Sequence, residues 1–309
     1  MHDLDHTDRT DASPSGYRLH LTSPTWTHGP AGAVPAPTAS AASAASAASS
    51  APQYHLWRPL PLGSGDLESL RRERPERRTG AWTLIEADDG LVRLTTDRTH
   101  SHHLLFTRAG DTWVISDDPE ELRRHAPAWV RDEEAAEVFL HAGFTPGTRT
   151  LAHEVYATPA GSVVELRPDG TWSSRSWETY RYAADPITSP EEFAAVFRSA
   201  LDTAVERVLQ EIDGRQILVP LSGGLDSRLL AAWLKRHGAR DVVTFTYGVP
   251  GSSEVAISRG VAEALELDWF TVDLDPAEVA RSWAGPDGVG FQKRTWGLTS
   301  LPHVQDWYA

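Results

Sequence analysis

The stretch from Ile217 to Ser227 reads I-L-V-P-L-S-G-G-L-D-S, and it constrains the rest of the chain more than any other. A β-capable apolar run, Ile217-Leu218-Val219, stops at Gly223 and Gly224. Asp226 and Ser227 stand just before a helical pattern from Arg228 to His237, which Gly238 closes. Strand, tight glycine loop and helix N-terminus in that order make an anion cradle. Glycines can take backbone angles closed to other residues and let a ligand approach the main chain. The first helical turn offers unpaired N–H groups and the positive end of the macrodipole. Asp226 would repel a phosphate unless a divalent cation such as Mg²⁺ stands between them. The ordinary alternative is a buried strand, a turn, and Asp226 or Ser227 as an N-cap. The five fixed positions of S-G-G-x-D-S recur by chance in about one chain of this length per few thousand, which favours the phosphate reading. The loop lacks the Lys of a Walker A sequence, so it does not read as a kinase or GTPase site.

The segments around this loop alternate between helix and strand. A helix from Pro190 to Ile212 precedes it, capped by Thr188 or Ser189, with Phe193, Phe197, Leu201, Val205, Val208 and Ile212 as its expected buried face. A strand Val242–Tyr247, a loop from Gly248 to Ser253, a helix Glu254–Leu267, a strand Trp269–Asp273 and a helix from Pro276 to Trp283 follow it. This order implies right-handed crossovers and a parallel, doubly wound α/β sheet. Ligands in such sheets bind beyond the carboxyl ends of the strands, at a switch point. The loop at Ser222 is placed for phosphates and the loop after Tyr247 for a base.

The first half differs. Residues 1–53, rich in Ser, Thr, Pro and Ala and ending in an Ala-Ser tract from Ala39 to Ser50, offer little for burial and read as a disordered tail. The charged run Leu67–Arg78 mixes five arginines with three glutamates and reads as a solvated helical face. Strands are expected at Ala81–Ala87, Leu91–Thr96, His102–Arg108, Thr112–Ser116, Ser162–Leu166 and Thr171–Trp177, with hairpin turns at Asp89-Gly90, Ala109–Asp111 and Asp169-Gly170. A helix is expected over Asp132–Ala142. His100, His102 and His103 could be metal ligands, but hydrogen-bonded or surface histidines are the stronger reading. The resulting division is 1–53 tail, 54–184 mainly antiparallel β-rich domain, and 185–309 α/β domain.

Composition removes several classes. The 309 residues contain no cysteine, which excludes disulfides, cysteine-ligated metals and a cysteine nucleophile. A net charge of −14 argues against nucleic acid as a main partner. No apolar run approaches a membrane span, and the polar N-terminus shows no signal peptide. The default expectation is a cytoplasmic protein.

The loop resembles the pyrophosphate loop of the N-type ATP pyrophosphatases. Together with V-T-F-T-Y-G-V-P-G-S-S-E-V-A-I-S-R-G-V-A-E-A-L it resembles the synthetase domain of the asparagine synthetase family. The segment L-V-R-L-T-T-D-R-T-H-S-H-H-L-L-F-T-R-A-G-D-T-W-V-I-S-D-D is similar to the later half of that family's class II (Ntn) glutamine amidotransferase domain, as is G-F-T-P-G-T-R-T-L-A-H-E-V-Y-A-T-P-A-G-S-V-V-E-L. The resemblance covers about Gly80 to Ala309. It implies that Ser222, Gly223, Gly224, Asp226 and Ser227 hold the pyrophosphate of ATP with Mg²⁺, Asp226 being the metal-side carboxylate. It also implies main-chain contacts to adenosine from Leu221 and Tyr247, with Gly248 among the nucleotide-binding residues and Glu254 near the nucleotide.

Two departures bear on activity. The family's glutaminase uses a cysteine directly after the initiator Met, whereas position 2 here is His. Relatives that kept the fold and lost this nucleophile include β-lactam synthetases and lasso-peptide cyclases. The family's later S-G-x-G-x-D-E motif and catalytic Lys are also missing, so the second domain reads as C-terminally incomplete. The expected function is an ATP-dependent amide-forming ligase without intrinsic glutaminase. It would activate a small-molecule or peptide carboxylate as an acyl-adenylate for attack by an amine or ammonia. The alternatives are a catalytically incomplete nucleotide-binding fragment or partner subunit, and another pyrophosphatase-loop enzyme such as a tRNA-modifying ligase or NAD synthetase.

Overall fold

A computed structural model describes residues 16–30, 53–59, 72–125, 129–181, 187 and 189–308. The chain forms two compact units. One runs to Tyr180 and takes in Gly290–Pro302; the other comprises Arg181–Val289 and His303–Ala309.

Among the described residues the first unit contains ten strands: Tyr17–His20 (β1), Trp26–Pro30 (β2), Gln53–Trp57 (β3), Thr83–Asp88 (β4), Leu91–Thr96 (β5), Leu105–Ala109 (β6), Thr112–Ser116 (β7), Val155–Ala157 (β8), Ser162–Leu166 (β9) and Trp172–Ser176 (β10). Helices Pro119–His125 (α1) and Glu133–Ala142 (α2) follow β7. The strands make one sheet in the order β1-β7-β6-β8 and another in the order β10-β9-β5-β4-β3-β2. Pairing is antiparallel except between β1 and β7. Period-two alternation divides the side chains between layers. Phe106, Trp113 and Ile115 of the first sheet meet Ile85, Val92, Leu94, Val164 and Leu166 of the second in one core. Their neighbours Leu105 and Val114 turn to the opposite face, where Leu122 of α1 and Leu298 cover them.

Asp89 and Gly90 both have positive φ, 47° and 79°. That pair is what a two-residue type I′ turn requires, and it fixes the β4–β5 register. Asp132 caps α2 by accepting from the Ala135 N–H, and Gly143 closes it in the left-handed region.

The expectation of a disordered tail over 1–53 fails for residues 16–30 and 53, which contribute β1, β2 and the start of β3. Burial of Tyr17 and Trp26 stabilises these short strands. So does Asp117, whose carboxylate accepts from the Thr22 N–H at 2.7 Å, the Ser23 N–H at 3.1 Å and Trp26 Nε1 at 2.8 Å. The Ala-Ser tract and residues 67–71 of the charged run lie outside the described residues; Pro75–Arg77 forms a 3-10 turn. The three histidines are half-buried in this unit. His102 stacks on Trp57 at 4.2 Å with Nε2 3.2 Å from Asp117 Oδ2, and burial pushes His103 down to about 4.

The second unit comprises Pro190–Ile212 (α3), Ile217–Pro220 (β11), Leu225–Arg236 (α4), Val242–Gly248 (β12), Ser253–Ala264 (α5), Asp268–Asp273 (β13) and Pro276–Ala284 (α6). Pro286–Thr295 (α7) and Val304–Tyr308 (α8) come later. The three strands are parallel in the simple order β11-β12-β13. Crossovers of one hand that step in one direction leave their helices on one face. Accordingly Val205 of α3 and Leu234 of α4 bury Val219 and Val242, and Ala231 of α4 and Ala262 of α5 bury Leu221. The other face carries Leu218, 53% exposed, and Phe270, 44% exposed, with Phe270 stacked on Phe245.

Two expectations are therefore corrected. Double winding and a strand-order reversal are not seen among the described residues. Nor is the apolar stripe of α3 a buried face: Val205 is buried, but Phe193, Phe197 and Val208 are exposed. Periodicity marks a face able to be covered; it does not supply the cover. Asp202 ties α3 to α4 by accepting from Trp233 Nε1 at 2.9 Å, with His237 Nε2 2.8 Å from the same oxygen. Among the described residues no helix is long and apolar enough to cross a membrane.

Candidate functional site

The loop from Leu221 to Gly224 leaves the carboxyl end of β11 and enters α4. Helix α4 begins at Leu225, so Asp226 and Ser227 lie in its first turn rather than before it. Gly224 is the N-cap and offers no side-chain cap to the first-turn N–H groups. Helices α2, α3, α5 and α6, by contrast, are capped by the side chains of Asp132, Ser189, Ser252 and Asp275. A helix start with donors not met by a side-chain cap suits an anion.

Neither glycine uses the left-handed region; Gly224 has φ −77°. At Gly224 the missing side chain matters: a Cβ there would lie 3.2 Å from Ser222 Oγ, closer than ordinary contact, whereas one on Gly223 would meet Glu254 Cγ at an ordinary 3.5 Å.

Hydrogen bonds hold the loop from within. Ser227 Oγ accepts from the Ser222 N–H at 3.0 Å and lies 2.9 Å from Ser222 Oγ. Ser222 Oγ accepts from the Gly224 N–H at 3.1 Å, and Glu254 Oε1 from the Gly223 N–H at 3.3 Å. Arg228 Nη2 donates to the Gly223 carbonyl. Asp226 is exposed.

Leu221 is buried, and its N–H donates to the Phe245 carbonyl at 2.7 Å. Its carbonyl accepts from Thr246 Oγ1 at 2.7 Å. That hydroxyl is also 2.7 Å from Ser258 Oγ and accepts from Trp269 Nε1 at 3.1 Å. The Leu221 N–H is thus committed to the sheet, while its carbonyl retains a second lone pair. Tyr247 and Gly248 end the adjacent β12. A Cβ on Gly248 would lie 3.3 Å from Ser252 Oγ, and the Gly248 carbonyl accepts from the Leu274 N–H at 2.9 Å.

The fold therefore gathers Ser222, Gly223, Gly224, Asp226, Ser227 and Glu254 in one loop region, with Leu221 beneath it. Tyr247 and Gly248 occupy the end of the neighbouring strand. Three contributors escape the motif. Arg228 braces the loop from the next helical turn, and its place directly after D-S was the available signal. Thr246 and Ser258 tie the strand, loop and α5 together; the signal in the sequence was threonine at alternate positions, 244 and 246, of an otherwise apolar strand. The groups present, which combine hydroxyls, helix N–H groups and the exposed carboxylates of Asp226 and Glu254, fit phosphate oxygens with a hard cation such as Mg²⁺.

The asparagine synthase family model matches residues 196–287, which contain β11, the loop, α4, β12, α5 and β13. The chain is 34% identical over 71 residues to argininosuccinate synthase of Psychrobacter sp. (strain PRwf-1), covering 23% of this chain and 17% of that protein. It is 33% identical over 86 residues to 7-cyano-7-deazaguanine synthase of Psychrobacter cryohalolentis, covering 27% of this chain and 33% of that protein. The matched segment thus spans a minor part of each curated relative.

Proposed function

We propose that the asparagine synthase-like segment of this chain binds ATP with Mg²⁺ at the Ser222–Ser227 loop and serves an AMP-forming, amide-forming ligase. The observation that carries this reading is the S-G-G-x-D-S turn, set at the carboxyl end of a parallel strand and opening onto α4 without a side-chain cap. The Psychrobacter relatives, both named as synthases, support the same direction.

In this reading the first-turn N–H groups of α4, with Ser222 and Ser227, hold the pyrophosphate part of ATP. Asp226 faces the cation. The cation supplies charge neutralisation on the leaving pyrophosphate. Leu221, through its carbonyl, and the main chain at Tyr247 and Gly248 receive the adenosine. Arg228 and Thr246 act through the loop by fixing its carbonyls, so that little reorganisation accompanies binding. The substrate's carboxylate attacks the α-phosphate, giving an acyl-adenylate and pyrophosphate, and an amine or ammonia then displaces AMP. The chain has no cysteine, so it supplies no thiolate for glutamine hydrolysis. We accordingly assign residues 185–289 and 303–309 as ATP-pyrophosphatase-like, with Gly290–Pro302 belonging to the first unit. The two-sheet unit we assign as a degenerate amidotransferase-like domain over 54–184, extended by the strands in 16–30 and 53.

A second reading, a nucleotide-binding partner subunit, is favoured by the apolar surface of the second unit: Phe193, Val196, Phe197, Leu218 and Phe270 are all exposed. ATP–pyrophosphate exchange across a panel of small carboxylic acids and peptides separates the two. Exchange with one acid supports the ligase. ATP binding without exchange supports the subunit, and absence of both refutes the nucleotide site.

A further inference from the structure

We propose that His20, Glu121 and His125 form a binding site for a divalent transition-metal ion of the zinc class, separate from the nucleotide loop. The three residues lie in the first unit. His20 is the last residue of β1 and pairs with Ser116 of β7, whose Oγ donates to the His20 carbonyl at 2.6 Å. After β7 the chain turns into α1, which starts with the Glu120 N–H donating to Asp118 Oδ1 at 2.8 Å. Leu122, fully buried, fixes which way α1 faces. Glu121 and His125, four residues apart, then share one helix face, and that face meets His20.

The geometry points to a shared ion. Glu121 Oε1 is 3.3 Å from His20 Nδ1 and 3.3 Å from His125 Nε2. One ligand atom from each of the three lies within 4.8 Å of the others. Ordinary N–H···O bonds span roughly 2.7–3.2 Å, so both contacts are loose as hydrogen bonds. Zinc–ligand bonds of about 2.0–2.2 Å in a tetrahedron place neighbouring ligand atoms about 3.3–3.6 Å apart, the spacing of both carboxylate–imidazole pairs. The imidazoles stack with centroids 4.5 Å apart, bringing two nitrogens to the same carboxylate. Arg124 Nη1 donates to Glu121 Oε2, leaving Oε1 turned to the histidines. Such an outer contact orients a ligating carboxylate.

Burial and donor type select the ion. The side chains of His20, Glu121 and His125 are 5%, 15% and 23% exposed, so the site is largely desolvated. Two imidazoles with one carboxylate suit zinc, cobalt or nickel and not the all-oxygen preference of magnesium or calcium. Three protein ligands leave one tetrahedral position for an exchangeable ligand. The ion would pin β1, an edge strand, to the helix that follows β7.

The test is Co²⁺ titration of the untagged, chelator-stripped chain, followed by its visible ligand-field absorption. We expect one Co²⁺ per chain, displaced by Zn²⁺. E121Q and H125A should each weaken binding by at least about tenfold, the loss that even an outer-shell deletion causes. Far-ultraviolet circular dichroism checks that the metal-free variants fold. Substituting His28, whose Nδ1 lies 2.7 Å from His55 Nδ1 on the neighbouring strand, should leave binding unchanged. If a variant does not fold, paramagnetic broadening of histidine ring signals in the unsubstituted chain decides: His20 and His125 must broaden, and His28 and His55 must not. Absence of stoichiometric binding, binding indifferent to E121Q and H125A, or binding lost with H28A would overturn the site.

Discussion

Asp117→Asn should destabilise the first unit by about 2–4 kcal/mol at neutral pH. Asp117 is buried and accepts at both oxygens: Oδ1 from the Thr22 N–H and hydroxyl, at 2.7 and 3.0 Å, and Oδ2 from the Ser23 N–H and Trp26 Nε1, at 3.1 and 2.8 Å. Burial alone would raise its pKa. Hydrogen bonds from His102, Thr22, Trp26 and Ser23 outweigh burial and hold it at about 2, against an ordinary 3.8. At about 1.4 kcal/mol per pH unit, that difference is worth roughly 2.5 kcal/mol to the folded state. Asparagine keeps one acceptor oxygen and turns an NH₂ toward donors, so the loss should be of that size or larger. The sign with pH follows. The carboxylate is depressed on folding, so its contribution is complete above about pH 4 and fades as pH falls toward 2. The assay is urea unfolding of both proteins followed by tryptophan fluorescence, at neutral pH and at pH steps below 4. A difference under about 0.5 kcal/mol at neutral pH, within the range of ordinary surface substitutions, would refute the reasoning. So would a difference that does not narrow in acid.

Other outcomes follow from the same contacts. Burial, with a smaller effect from neighbouring histidines, holds His103 at about 4 and His55 at about 3. Both stay neutral in the folded state while the unfolded chain takes up protons near pH 6.5. Their contribution is present above that pH and is lost as pH falls toward 4, at up to about 1.4 kcal/mol per pH unit each; H103Q should flatten the acid limb of a stability–pH curve. Leu234→Ala, in the core formed with Val205, Val219 and Val242, should cost about 2–5 kcal/mol in denaturant unfolding. Leu225→Ala, at a side chain 78% exposed, should stay within about 0.5 kcal/mol. Ser227→Ala removes the acceptor of the Ser222 N–H, and should weaken ATP binding in calorimetry while leaving the unfolding midpoint of the first unit unchanged.

Much of the architecture was legible because its signals are local. Leu91–Thr96, Thr112–Ser116 and Ser162–Leu166 occupy the strands their alternation suggests. The N-cap at Ser189 is ordinary side-chain chemistry read one residue ahead of its helix. Strands β1 and β2 were missed because four or five residues in a Ser- and Pro-rich context carry little propensity. What holds them is Asp117, more than 90 residues away. The sequence showed that α3 has an apolar stripe but not that Phe193 and Phe197 face outward, since burial belongs to the partner surface. At the candidate site the motif located the loop. Its bracing by Arg228, Thr246 and Trp269 depends on long-range packing, and the structural reason for Gly224 changed from backbone freedom to the space a Cβ would fill. The histidine and glutamate trio joins positions 20 and 121, a separation that spacing rules do not reach.

The central claim is that the Ser222–Ser227 loop binds ATP with a cation at Asp226. Titration calorimetry of ATP, with and without Mg²⁺, into the unsubstituted chain and D226N tests it most directly. Asp226 is exposed, so the substitution leaves the fold intact. We expect stoichiometric, Mg²⁺-dependent binding to the unsubstituted chain, and in D226N an affinity at least about tenfold lower with its Mg²⁺ dependence gone. No binding to the unsubstituted chain, or binding to D226N with the same affinity and Mg²⁺ dependence, would contradict it.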